Sequence, residues 1–247
     1  GAFQDIDLKS AFEAVSKFSQ PVLTTSNHAE LMSLACKSAI VERDVAHLIF
    51  PDDVQTIPSD AKAGGPQGRT GGDVVIPSED NLAAASELIG NAKRPIIVMG
   101  HGAVAARDAV IALAERLGAP VMTTFKGKGL IADDHPNAAG VLGRSGTPIA
   151  SWLMNESDLI LSLGSSFANH TGIDRSKPII QVDFERMQLG RFHPVKLPIW
   201  GEIGAFCDAM CARLDPRGDD RQITELAERW AIWRDEKRTR LAEERGQ

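Results

Sequence analysis

The sequence predicts an α/β fold: a doubly wound parallel sheet, with a partial second α/β unit at its N-terminal side. Three observations carry this reading. Short runs such as Leu159–Leu163 and residues 179–182 are mostly apolar along their length, as expected of strands buried on both faces. Helix-length segments separate these runs, the alternation that builds a parallel sheet covered by helices. Most runs end in a turn of small or polar residues, among them Gly100-His101-Gly102 and Gly164-Ser165-Ser166.

In chain order, Leu8, Phe12, Val15 and Phe18 share one face at helical spacing. Pro21-Val22-Leu23 reads as a short strand. Asn27 with Glu30 resembles a capping box, with Asn in place of Ser or Thr. The helix that follows is expected to turn Leu31, Leu34, Ala35 and Ile40 inward. Residues 45–50 form the next strand, stopped by Pro51-Asp52-Asp53. Two helices and two strands bury too little to stand alone. Residues 1–58 therefore read as the last part of a larger α/β domain, and the chain as a segment of a longer protein.

Residues 59–77 are rich in Gly and poor in large apolar groups. Such a stretch cannot bury enough surface to fold, so it reads as a linker. Ser78 is a plausible N-cap for a helix over 81–91. A strand over 95–99, a helix over 106–117 closed by Gly118, and a strand over 120–123 follow. A long loop leads to a helix over 148–155, then strands over 158–163, 178–183 and 195–200, and a helix over 203–214. Residues 78–215 thus form the main domain. A mixed-sign helix over 219–245 carries a sparse stripe of Trp230, Trp233 and Leu241. Residues 216–247 read as a connector toward a further domain.

Composition narrows the function. The 247 residues are 43% hydrophobic and 24% charged, ordinary for a globular chain. A net charge of -6 gives no basic footprint for nucleic acid. No apolar run approaches the ~20 residues needed to span a bilayer. Gly1-Ala2-Phe3-Gln4 has neither the basic start nor the apolar core of a secretory leader. Three cysteines, Cys36, Cys207 and Cys211, make no disulfide framework, so a cytoplasmic location is expected.

In an open α/β sheet, ligands bind beyond the carboxyl ends of the strands, so those turns carry the functional reading. Gly100-His101-Gly102 follows a strand and precedes a helix, as a dinucleotide-binding turn does. Ala105 stands where the last fingerprint position would fall, so the turn taken alone reads better as an ordinary tight turn. In the next turn, Thr124 and Phe125 are candidates to border a ligand, with Lys126 to offset phosphate charge. Leu142-Gly143-Arg144 contributes one strong anion binder, Arg144. Gly164, Ser165 and Ser166 combine close approach with two hydroxyls; the segment is no G-x-S-x-G nucleophile elbow. Asp183 can accept from a ribose or an adenine amine, or cap the turn that follows it. Glu202 ends the series after the last strand. No acidic residue stands about 20 positions after the Gly turn, which weakens a nicotinamide dehydrogenase reading. Cys207 and Cys211, one helical turn apart, read as buried thiols, and His135 as a loop-shaping residue.

The ordered series Phe3-Gln4, Gly-rich linker, RPIIVMGHG, LGAPVMTTFKGKG, DHP, LGRSG, DLILSLGSSF and IIQVD resembles thiamine diphosphate (TPP) enzymes of the pyruvate oxidase, quinone-linked pyruvate dehydrogenase and acetolactate synthase group. The resemblance implies three α/β domains: pyrimidine-binding, central and diphosphate-binding. This chain would hold the end of the first and all of a Rossmann-like central domain. It implies a parent enzyme that decarboxylates a 2-oxo acid such as pyruvate, with oxidation or two-carbon transfer. Thiamine diphosphate and Mg²⁺ would serve the parent, and FAD or an ADP-like ligand the central domain, through Gly100, His101, Gly102, Thr124, Phe125, Leu142, Gly143, Arg144, Gly164, Ser165, Ser166, Asp183 and Glu202. Phe3 and Gln4 match residues that relatives project into a partner subunit's thiamine site. The family's catalytic glutamate is expected upstream of Gly1, and its GDG…N metal motif downstream of Gln247. The segment alone is therefore expected to be inactive. A homodimer or homotetramer is implied, and peripheral membrane association if the acceptor is a quinone. The departures at Asn169-His170 and at Glu202, where relatives carry Asp, keep open a cofactor-free scaffold.

Overall fold

The structure is a computed structural model that describes residues 6–60, 62, 64–72, 74–166 and 170–244. The expected contacts of Phe3 and Gln4 lie outside the described residues. The chain divides into two compact units, 1–73 and 74–247.

In the first unit, α1 (Leu8–Glu13) is capped by Asp7, whose Oδ1 accepts from Ser10 N at 3.1 Å. β1 (Phe18–Pro21) and β2 (Ala46–Ile49) pair in parallel, with Phe18 opposite Ala46. Between them lies α2 (His28–Glu42), whose Asn27 cap accepts from Glu30 N at 3.2 Å, as the capping pattern predicts. A single helical turn, α3 (Asp52–Gln55), opens at Pro51. The first strand therefore lies three residues earlier than expected, and Phe18 opens it instead of closing a helix face. The helical spacing of Phe18 was coincidental, because the helix ends at Glu13. Leu34 and Ile40 were expected inside, yet they are 45% and 52% exposed. Among the described apolar residues of this unit only Val22, Ala35 and Val54 are buried. Two short strands cannot cover a 15-residue helix.

The second unit begins with α4 (Glu79–Asn91), capped by Ser78 Oγ, which accepts from Asn81 N. β3 (Pro95–Met99) leads through a 3₁₀ segment (His101–Ala106) into α5 (Arg107–Leu117). Gly118, at φ 56, closes α5 in the left-handed conformation expected of a C-terminal glycine. Then come β4 (Val121–Thr123), β5 (Ala138–Val141) and α6 (Pro148–Glu156), which has Pro148 at its start. β6 (Leu159–Leu163), β7 (Ile179–Asp183), β8 (Leu197–Trp200), α7 (Ile203–Arg213) and α8 (Arg221–Glu244) complete it.

The sheet order is β5-β4-β3-β6-β7-β8, and every pair is parallel. This is the doubly wound order, with its reversal between β3 and β6. β5 falls in what reads as a loop. Ala-Ala-Gly-Val lacks the bulky run that marks a buried strand, and β5 is an edge strand paired only with β4.

Successive residues of the central strands feed opposite layers. Ile97, Met99, Leu161 and Val182 pack with Leu113 of α5 and Phe206 of α7. Ile96, Val98, Ile160 and Ile179 pack with Leu153 of α6 and Leu226 of α8. Both faces are thus covered, which explains apolar runs in place of alternation. α8 is more than a connector at its N-terminal half. Leu226 is fully buried, Glu225 pairs with Arg94 at 2.6 Å, and Gln222 Nε2 donates to Pro95 O at 3.3 Å.

Candidate functional site

The carboxyl ends of the six parallel strands lie along one edge of the second unit, and the turns that leave them are tied to one another. Gly100 N–H donates to Leu163 O at 2.9 Å, and Gly102 N–H to Gly164 O at 3.1 Å. Thr124 N–H donates to Met99 O, Leu142 N–H to Thr123 O, Gly164 N–H to Val182 O, and Gly201 N–H to Asp183 O. Each strand end is linked to its neighbour in sheet order. The sequence-predicted turns at Gly100, Thr124, Gly143, Gly164 and Asp183 therefore share this edge.

The glycines of the switch point meet each other. A Cβ on Gly100 would sit 2.0 Å from Gly164 O, and one on Gly164, at φ +63, 2.6 Å from the Gly102 carbonyl carbon. Their smallness is needed for backbone-to-backbone packing of the β3 and β6 turns. The amides of Gly102 and Ala103 are already engaged, with Gly164 O and Gly100 O. They are not free donors of the kind a phosphate cradle uses.

Other groups on the edge differ in how far they are open to a ligand. Ser165 Oγ is buried and has no hydrogen-bond partner among the described residues, a state that costs about 1–3 kcal/mol unless something binds it. Asp183 is half-buried; its Oδ1 accepts from Glu185 N at 2.9 Å, so it does cap the next turn. Burial raises its pKa above the usual carboxylate value, and that backbone hydrogen bond acts the other way. Arg144 is exposed and has no ion-pair partner among the described residues. The Phe125 ring, 54% exposed, lies over Gly143, where a Cβ would come 2.7 Å from its Cε2. Thr124 Oγ1 accepts from Gly127 N at 3.2 Å, shaping its own turn.

Four predicted residues differ in chemical placement. Leu142 is buried in the layer with Ile149, so its side chain belongs to the core. His101 and Ser166 are exposed at the edge. Glu202 opens α7, where its N–H donates to Val75 O at 2.7 Å and its carbonyl accepts from Phe206 N.

Sequence reasoning passed over Gln181 and the pair Arg186 and Trp200. Gln181 is fully buried; Nε2 donates to Gln188 O at 3.0 Å and Oε1 accepts from Gly190 N at 2.8 Å. It brackets the loop after Asp183. The Arg186 guanidinium lies 3.6 Å from the Trp200 ring centre, and Trp200 Nε1 donates to Phe184 O at 2.7 Å. A Gln inside the apolar run IIQVD was the available signal, because a buried amide demands partners. Among the described residues no three His, Cys, Asp or Glu side chains gather as a metal site, and no helix is long and apolar enough to cross a membrane.

Residues 82–210 match the family described as "Thiamine pyrophosphate enzyme, central domain". The chain is 31% identical over 229 residues to YdaP of Bacillus subtilis, named as a thiamine pyrophosphate-containing protein, covering 92% of this chain and 37% of that one. It is 32% identical over 231 residues to a Methanococcus aeolicus protein assigned as an acetolactate synthase large subunit, covering 87% of this chain and 38% of that one. The chain thus spans under two fifths of the length of these curated relatives. In fold it is similar to an X-ray structure from Mycobacterium smegmatis assigned to the thiamin diphosphate-dependent enzymes. The TM-score is 0.69 at 23% identity, over 87% of this chain and 42% of the other.

Proposed function

The chain belongs to the thiamine pyrophosphate enzyme family through its central domain, and we propose that it is part of an enzyme that decarboxylates a 2-oxo acid, with pyruvate as the first candidate. Oxidation or two-carbon transfer would follow. The observation that carries this reading is the family match over 82–210, which spans the sheet from β3 to β8 and the turns on its carboxyl edge. Thiamine diphosphate with Mg²⁺ would supply the carbanion chemistry in the parent enzyme, outside the central domain. The segment by itself would then be inactive. A homodimer or homotetramer and a cytoplasmic location belong to the same proposal.

The role proposed for the second unit is to hold FAD or an ADP-like ligand on its carboxyl edge. The orphaned Ser165 hydroxyl and the half-buried Asp183 carboxylate suit the hydroxyl and amine groups of an adenosine. Arg144 would meet a phosphate, and Phe125 would offer a ring face. Bound FAD would supply a two-electron acceptor. The chain's own residues would orient the adenosine and balance phosphate charge. The engaged amides of Gly102 and Ala103 argue against the first turn as the phosphate cradle.

A second reading is a cofactor-free scaffold. It is favoured by one observation: the switch-point glycines are accounted for by their mutual contact, without a ligand. Flavin absorbance of the purified full-length enzyme separates the two. Consumption of pyruvate by that enzyme, dependent on added thiamine diphosphate and Mg²⁺, tests the parent reaction; no turnover of any 2-oxo acid would overturn it.

A further inference from the structure

We propose that the notch between α8 and the end of β5 binds a small planar aromatic anion: a ring bearing a carboxylate or a phosphate. This inference does not rest on the nucleotide reading of the carboxyl edge.

The notch has a volume of about 340 Å³, within the range of roughly 300–1,000 Å³ typical of small-molecule sites. Two indoles form its walls. Trp230 is fixed by its Nε1–H, which donates to Ala138 O at 2.7 Å. Trp233 stands against it at 86°, with ring centres 5.4 Å apart. Leu226, one turn earlier, is the residue that anchors α8 in the core at 0% exposure. Trp230 and Trp233 remain half-exposed, so the core leaves part of their surface uncovered. A planar ring in the angle between them would meet one indole face-on and the other at its edge.

The charges select the ligand's sign. Arg234 lies 5.4 Å from the Trp230 ring and Lys237 5.0 Å from the Trp233 ring. Neither has an ion-pair partner among the described residues, whereas Arg221, Arg238 and Arg240, on the same helix, each pair with an acid. Across the notch Lys128 pairs with Asp133 at 3.4 Å, and Asp133 is the one carboxylate of the lining. Three cations thus face one anion. A neutral ring would leave two cations uncompensated, and a small aliphatic anion would leave the indoles uncovered.

The test uses the four indole N–H signals of the full chain, from Trp152, Trp200, Trp230 and Trp233, assigned by Trp→Phe variants. Benzoate is the probe; acetate carries the charge without the ring, and benzyl alcohol the ring without the charge. Benzoate is expected to shift Trp230 and Trp233 saturably and to leave Trp152 and Trp200 in place, with neither control matching it. The double variant R234Q/K237Q should weaken benzoate about tenfold, the scale of one charge-assisted contact, and R234K/K237R should retain it. Unmoved Trp152 and Trp200 signals report that each variant is folded. Equal shifts with benzyl alcohol, or unchanged benzoate affinity in R234Q/K237Q, would overturn the proposal.

Discussion

The amide of Gly102 donates to the carbonyl of Gly164 at 3.1 Å, joining the turn after β3 to the turn after β6. These two strands flank the reversal of the sheet, so the contact fixes the place where the chain winds in both directions. Gly164→Ala should be severely destabilising. It adds left-handed strain of about 1–2 kcal/mol to a backbone collision at 2.6 Å, for a total of at least about 3 kcal/mol. Gly129→Ala is the control: φ is +92, but a Cβ meets open space. All four tryptophans lie in 74–247, so urea unfolding followed by Trp fluorescence reports this unit. Equal losses for the two variants would contradict the packing role.

Asp183→Asn should stabilise the protein at neutral pH. Burial raises the native pKa of Asp183 above its unfolded value, so the native state binds the proton more tightly. The proton's contribution is then complete below the unfolded pKa and lost as pH rises through the native one. Asn keeps the Oδ1 that accepts from Glu185 N and removes the titration. The stability gap between D183N and the natural chain should widen from acid to neutral pH, in denaturation curves at several pH values. A gap independent of pH would refute this.

Gln181→Leu should release the loop after β7. The substitution leaves Gln188 O and Gly190 N without their partner, at about 1–3 kcal/mol for buried groups. Trypsin cleavage at Arg186 or Arg191 should accelerate in Q181L and stay slow in Leu226→Ala. Equal cleavage of Q181L and the natural chain would remove the bracketing role.

The same Gln181 shows how far the sequence could be read. The strands β3, β6 and β7 were legible because both sheet faces are covered and their residues are almost wholly apolar. The amide within one of them was visible, but its partners lie in an irregular loop that no periodicity describes. β5 escaped because an edge strand of Ala, Ala, Gly and Val carries no packing signal. Phe18 kept helical spacing by chance across a helix that had already ended. The turns of the carboxyl edge were found as glycines and hydroxyls. That Gly100 is small for the sake of Gly164, 64 positions on, was not readable from local pattern.

Leu226→Ala should cost about 2–5 kcal/mol, the usual price of emptying a closed apolar site, since Leu226 is fully buried beside Leu153 and Ile160. Trp230→Phe should cost about 1 kcal/mol or more by leaving Ala138 O, on the edge strand, without its donor. Both are measured by the same fluorescence unfolding. Near-neutral effects would mean that α8 is only loosely attached to the sheet.

Whether the carboxyl edge holds an adenine nucleotide is read most directly from the natural full-length protein, purified without added cofactor, denatured, and analysed for released FAD and ADP. The expected result is a near-stoichiometric nucleotide that is lost in the S165A/D183A double variant while the fold persists. A nucleotide-free protein that takes up neither FAD nor ADP when they are supplied, or one whose nucleotide survives that double variant, would contradict it.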